Sequence, residues 1–152
     1  MEGKKNVLER LLAVQQDLKV PKNQYNSFGR YKYRSCEDIL QAARPLCNAN
    51  GLVLVLHDDV EAVGNRFYVK ATAKVIDVDS KENYTAHAYA REEDSKKGVD
   101  GSQLTGATSS YARKYALCAL FAIDDNKDAD SEEYSQTAKN GVQATKNSKP
   151  NN

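Results

Sequence analysis

The densest concentration of side chains that could do chemistry lies between Leu18 and Cys36. Five basic residues (Lys19, Lys22, Arg30, Lys32 and Arg34) are interleaved there with four aromatics (Tyr25, Phe28, Tyr31 and Tyr33), and no acid interrupts them. Cations mixed with flat rings suit a single-stranded nucleic acid, because the charges neutralise phosphates and a ring stacks on any base. The blander reading is that the rings fold into the core while the charges coat a hairpin. A second candidate is Arg113-Lys114, preceded by the small residues Gly106, Ala107, Ser109 and Ser110. On a helix, small residues let a phosphate chain approach closely. Arg113 would then share a side with Gly106 and Ser109, although a plain solvated face has the same composition. The weakest set is Lys70, Lys74, His87 and Arg91, at alternate positions of predicted strands where a polar face is expected anyway.

Other chemistries lack their residues. The nearest glycines to a phosphate loop, Gly98, Gly101 and Gly106, have no Lys-Ser or Lys-Thr after them, so action on nucleic acid would not be driven by ATP. His57 and His87 lie on predicted strands without a serine or cysteine in a nucleophile context and read as structural or as surface contacts. Cys36, Cys47 and Cys118 are odd in number, widely spaced and contain no CxxC pair, which argues against a disulfide scaffold and a zinc site. The run Asp124-Asp125-Asn126-Lys127-Asp128 begins like a calcium loop. Ala129 then stands where glycine is required and Ser135 where the closing glutamate belongs. A weak divalent-cation site is one reading of it; a solvated helix end, or a mimic of DNA charge that blocks or docks a partner, is the better one. The expectation is a protein with no catalytic residues, no metal and no cofactor.

Composition frames these candidates. The chain has 152 residues, 40% hydrophobic and 28% charged, which suits one packed domain. No apolar run approaches the roughly 18 residues of a membrane span, and Met1 to Lys5 opens no secretory signal. With the cysteine usage, this points to a reducing, cytoplasmic location and no membrane partner. The net charge of +1 is uneven: residues 136–152 hold three lysines and no acid, leaving 19 basic against 21 acidic residues before them. Bulk charge therefore does not indicate nucleic acid, and only a local patch could. Residues 1–135 read as the domain and 136–152 as a disordered polar, basic tail.

The elements that must position the candidates follow from periodicity. Leu8, Leu11, Leu12 and Leu18 form an apolar stripe on a helix over 6–19, with Asn6 and Glu9 as a capping box and Val20-Pro21 as its stop. A second helix starts after Ser35, with Asp38 three residues on, and ends near Gly51; Pro45 inside it predicts a kink or a split. Leu52 to Leu56 reads as a buried strand. Arg66 to Val78 and Asn83 to Arg91 alternate, with Gly64-Asn65 and Asp79-Ser80-Lys81 as turns. A long helix over 102–121 completes the chain, with Leu104, Ala107, Thr108, Tyr111, Tyr115 and Cys118 as its buried stripe. The order α-α-β-β-β-α is an α+β domain: an antiparallel three-stranded meander packed by a long helix, with two N-terminal helices.

Two segments together resemble the Erf family of phage and prophage recombination proteins. One is Lys22-Asn23-Gln24-Tyr25-Asn26-Ser27-Phe28-Gly29-Arg30-Tyr31-Lys32-Tyr33-Arg34, leading into Cys36-Glu37-Asp38-Ile39. The other runs from Gly101-Ser102-Gln103-Leu104-Thr105-Gly106-Ala107-Thr108 through Tyr111-Ala112-Arg113-Lys114-Tyr115 to Leu120-Phe121-Ala122-Ile123-Asp124-Asp125. The likeness spans about residues 5–134. It implies a single-strand annealing protein that works without ATP, with a β-β-β-α core, assembling into rings or filaments on DNA. It further implies that Arg113 and Lys114 line a groove for the phosphate backbone, with Arg30, Lys32 and Arg34 as a second basic wall. Lys22, Tyr31, Tyr33, Lys70, Lys74 and Arg91 complete the candidate DNA-binding set. Such a protein would act in recombination with an exonuclease that exposes single strands. The competing reading is a module docking on a host replication or single-strand-binding protein; a nuclease has only the clustered aspartates in its favour.

Overall fold

Asn6 opens the first helix, α1 (Val7–Asp17). Its side chain accepts from the Glu9 N–H at 2.8 Å while the Glu9 carboxylate accepts from the Asn6 N–H at 3.4 Å, the reciprocal box expected from the sequence. The computed structural model describes residues 3–92 and 101–124, with the backbone alone at 102–104. After α1 come two short strands, β1 (Gln24–Asn26) and β2 (Tyr31–Tyr33), paired antiparallel as a hairpin. Ser35 and Asp38 then cap α2 (Cys36–Ala49) by the same box, at 3.1 and 2.9 Å. The helix runs unbroken past Pro45, so the expected split does not occur. The carbonyl that Pro45 deprives of a partner belongs to Gln41, and both residues are exposed to water.

Gly51, at φ +69°, ends α2 and turns the chain into β3 (Leu52–Val63). Gly64, at φ +61°, turns it again into β4 (Arg66–Asp77), and β5 (Asn83–Arg91) completes a meander in the order β3-β4-β5. β3 is longer than its apolar run Leu52–Leu56 indicates, because every residue out to Val63 pairs with one on β4. The last helix, α3 (Gly101–Phe121), covers β4 and β5. The described residues are therefore α+β with three helices on a three-stranded antiparallel sheet, plus the β1–β2 hairpin that periodicity did not show. The acidic run beyond Asp124, the boundary at 135 and the tail lie outside the described residues, as does the loop 93–100.

The core is a layer of small and branched side chains between helices and sheet. Val69, Ala71, Ala73 and Val75 of β4 meet Ala112, Ala116, Leu117, Leu120 and Phe121 of α3, with Val7, Leu11 and Val14 of α1 and Ile39, Ala43 and Cys47 of α2 closing the end. Two expected stripes are corrected. On α1, Leu8 and Leu12 are 55% and 53% exposed, while Val7, Leu11 and Val14 go inward. On α3, Ala107, Tyr111 and Tyr115 face outward and the alanine face is buried, because alanine against alanine lets helix and sheet approach closely. Thr108 and Cys118 are buried as expected, and the Leu104 side chain lies outside the described ones. Arg10 ties the layers at one end. It donates to the Asn50 carbonyl at 3.0 Å and to Asp79 at 2.6 Å, and its Nε lies 3.2 Å from buried Asp77.

Candidate nucleic-acid interface

An open cleft of about 640 Å³ lies between the β1–β2 hairpin and the middle of α3. Lys22, Lys32, Arg34 and Lys114 bring positive charge to its walls, Tyr31, Tyr33, Tyr111 and Tyr115 bring rings, and Glu37 is the acid among its lining residues. Three features of local structure create it. The register Asn26↔Tyr31 and Gln24↔Tyr33 sets Tyr31 and Tyr33 two apart on one face of the hairpin, with ring centroids 6.0 Å apart. One turn of α3 presents Tyr111, Lys114 and Tyr115 together. The cap at Ser35 starts α2 immediately beneath.

Lys114 is the centre of the arrangement. Its ammonium lies 5.8 Å from the Tyr33 ring centroid, 6.0 Å from Tyr111 and 5.8 Å from Tyr115. Each such contact is worth about 0.5–1 kcal/mol at an exposed site, and together they aim a flexible side chain. Burial, then the neighbouring Tyr31 and Tyr115 and the hydrogen bond with Tyr31, hold the Tyr111 phenol above its ordinary value, with Lys114 opposing them. Tyr111 is therefore a neutral phenol at physiological pH. Burial, then the Glu37 charge, pushes the Cys36 thiol up, so this cleft-lining cysteine is a packing residue rather than a nucleophile.

The candidate cations do not converge on one place. Lys22, Lys32, Arg34 and Lys114 meet at the cleft, with Tyr31 and Tyr33. Arg34 also has a structural role. Its Nε donates to the Val20 carbonyl at 2.8 Å and its Nη1 to the Asp124 carbonyl at 3.1 Å, so it holds the hairpin against the end of α3. Arg30 occupies the hairpin turn at φ +55° and is exposed. Arg113 reaches toward the sheet with its side chain 39% exposed. Its Nε donates to both oxygens of Asp58 on β3, at 3.0 and 3.1 Å, and the Ser109 hydroxyl donates to the same carboxylate.

Lys70, Lys74 and Arg91 lie on the opposite face of the sheet. Val69, Ala71, Ala73 and Val75 are buried under α3, so the alternate residues of β4 and their partners on β5 face away from it. Acids share that outer face: Lys70 is 3.9 Å from Glu61, and it lies 5.9 Å over the Tyr89 ring. His57 and His87 are there too, on Asp59 and Thr72.

Sequence reasoning missed Tyr111 and Tyr115 as cleft residues, having assigned them to the core. The available signal was chemical: a tyrosine hydroxyl favours a site with one wet end. Among the described residues no cluster of three or more His, Cys, Asp or Glu could hold a metal, and no helix is long and apolar enough to cross a membrane.

Comparison with known proteins places the chain in a family by its sequence. It belongs to the ERF superfamily, whose family model matches residues 7–152. Over 132 residues it is 56% identical to the Essential recombination function protein of Salmonella phage P22. That alignment covers 87% of this chain and 62% of the phage P22 protein, so the chain spans less than two thirds of that relative's length. No solved structure matches it significantly.

Proposed function

We propose that this chain binds single-stranded DNA in the cleft between the β1–β2 hairpin and α3, and anneals complementary strands without ATP during phage homologous recombination. The observation that carries the reading is Lys114, held by three tyrosine rings beside Lys22 and Lys32 in an open trough. Annealing requires screening the repulsion between two strands while leaving base edges accessible, and backbone-directed cations achieve both. The family and the phage P22 relative support the recombination setting, in the cytoplasm of a bacterial host. An exonuclease that exposes single strands, or a host single-strand-binding protein, would be the companion activity. Arg113, paired with Asp58, and the outer-face set Lys70, Lys74 and Arg91 have secondary parts in this reading.

One cleft touches few phosphates, so useful affinity calls for several copies in a ring or filament. Two exposed apolar patches at opposite ends of the sheet support assembly. Leu8 and Leu12 stand on α1, whose Arg10 reaches the Asp77 end of β4, and Val60 and Phe67 stand on one face of the β3–β4 arm at the other. Patches on opposite ends join head to tail, the geometry of rings and filaments.

The test is annealing of two complementary labelled oligonucleotides by the purified protein, without ATP and with EDTA. Acceleration far above the spontaneous rate is the expected result, together with an affinity that falls steeply with salt. A folded, concentrated protein that leaves the rate unchanged overturns the reading. Sedimentation showing a strict monomer with and without DNA overturns the assembly.

A further inference from the structure

The β1–β2 turn holds a feature that the cleft does not use. Phe28 is fully exposed, at 100% of its accessible surface, on a turn that is locked rather than loose. The Asn26 side-chain oxygen accepts from the N–H groups of both Phe28 and Gly29, at 3.0 Å each, and its amide donates to the Tyr31 hydroxyl at 3.1 Å. Gly29 faces the Tyr31 ring so closely that a Cβ there would lie 2.7 Å from Cδ1. Arg30 adopts the left-handed conformation at φ +55°, which a residue with a Cβ takes only where its surroundings impose it. Asn26, Gly29 and Arg30 thus fix the backbone that carries an apolar ring into solvent.

We propose that Phe28 is a base-stacking residue, placing its ring against a base of the single strand that occupies the adjoining cleft. The inference rests on the proposed function and adds a contact to it. Asn26 and Tyr31, which flank the turn, line the cleft, so the tip stands at its rim. The surroundings select a polyanion with flat faces. Arg30 and Lys32 are close in sequence and no acid occurs from Leu18 to Cys36. The other residues of the turn, Asn26, Ser27, Gly29 and Arg30, are polar or small, so the turn itself offers no contiguous apolar patch of the kind a protein partner covers. A preorganised ring loses little entropy on stacking. Wedged between neighbouring bases, it interrupts the strand's own stack and leaves the pairing edges untouched.

The chain contains no tryptophan, so Phe28→Trp introduces a single indole. Its emission is titrated with a thymine homo-oligonucleotide and with an abasic strand of equal length, while anisotropy of a labelled oligonucleotide reports binding by the wild type and both variants. The expected result is quenching by the base-bearing strand alone. Phe28→Ala is expected to bind roughly 5- to 100-fold more weakly, with an unchanged salt slope and an unchanged Tm. Equal quenching by the abasic strand overturns the proposal, as does binding by anisotropy with an unquenched indole. An emission change that follows protein concentration without DNA assigns the ring to a second copy and also overturns it. If the wild type itself fails to bind, the proposed function falls, and the stacking contact with it.

Discussion

Arg113→Ala separates a structural cation from a DNA-binding one. Its Nε contacts both Asp58 oxygens, at 3.0 and 3.1 Å, with the two side chains 39% and 23% exposed. A hydrogen bond to a charged group contributes about 1.5–3 kcal/mol when shielded, and an exposed ion pair about 0–1. This half-exposed pair belongs between them, at about 1.5 kcal/mol. The Ser109 hydroxyl remains on Asp58 after the substitution and limits the cost of the orphaned carboxylate. For a domain of this size the Tm then falls by roughly 4–8 °C. Asp58→Ala costs a similar amount, and the double variant costs less than the two together, with a coupling of about 1 kcal/mol. Affinity for single-stranded DNA stays within about threefold of wild type and its salt slope is unchanged, because the guanidinium charge is already answered by Asp58. The assay is thermal melting of the four proteins beside anisotropy titrations across a salt series. An Arg113→Ala variant that melts like wild type, yet loses about 0.7 from the salt slope, one single-strand phosphate, would refute the reasoning.

Lys114→Ala differs in its salt dependence: the salt slope drops by about 0.7, beside a loss of up to about 1.5–3 kcal/mol of stability from the three ring contacts, and an unchanged slope would remove Lys114 from the interface. Asp77 couples stability to acid. Burial raises its carboxyl, but the backbone N–H groups of Asp79 and Ser80 and the Arg10 guanidinium outweigh that and hold it below the ordinary 3.8. A lowered carboxyl stabilises the fold above the unfolded value and stops doing so as pH falls through the folded value. Asp77→Asn therefore flattens the acid limb of a stability–pH curve measured by urea melts, and an unaltered limb contradicts the assignment. Burial pushes the Cys47 thiol up to about 11, so thiol reagents at neutral pH modify it only as fast as the protein unfolds. Rapid stoichiometric labelling of Cys47 in the folded protein, mapped by mass spectrometry, is the contrary result.

The parts that were legible in the chain are those written in short-range chemistry. Asn6 with Glu9 and Ser35 with Asp38 satisfy helix ends within three residues of themselves, and Gly51 and Gly64 supply positive φ at single turns. The alternation from Arg66 to Asp77 shows the buried face of β4 correctly because its period admits only two choices. The β1–β2 hairpin was not legible as strands: three residues a side are too few for a period, and the pairing rests on the Asn26 turn. The far half of β3 was hidden because His57-Asp58-Asp59 breaks the apolar run, although pairing with β4 continues through it.

The sequence alone determined most of the inventory: the three helices and where they start, the β4 and β5 strands, and that cations and rings are concentrated between Leu18 and Cys36 and around Lys114. Only the tertiary structure decided which way the helices face. α1 and α3 each carry more than one stripe with acceptable spacing, and the one buried is the one whose volume fits the surface opposite, Val7-Leu11-Val14 in α1 and the alanines of α3. That choice turned Tyr111 and Tyr115 outward into the cleft and Arg113 inward to Asp58, 55 residues away in the chain. It also set Lys70, Lys74 and Arg91 on the far side of the sheet. A helical period is set by the backbone, whereas the direction a helix faces is set by what it packs against.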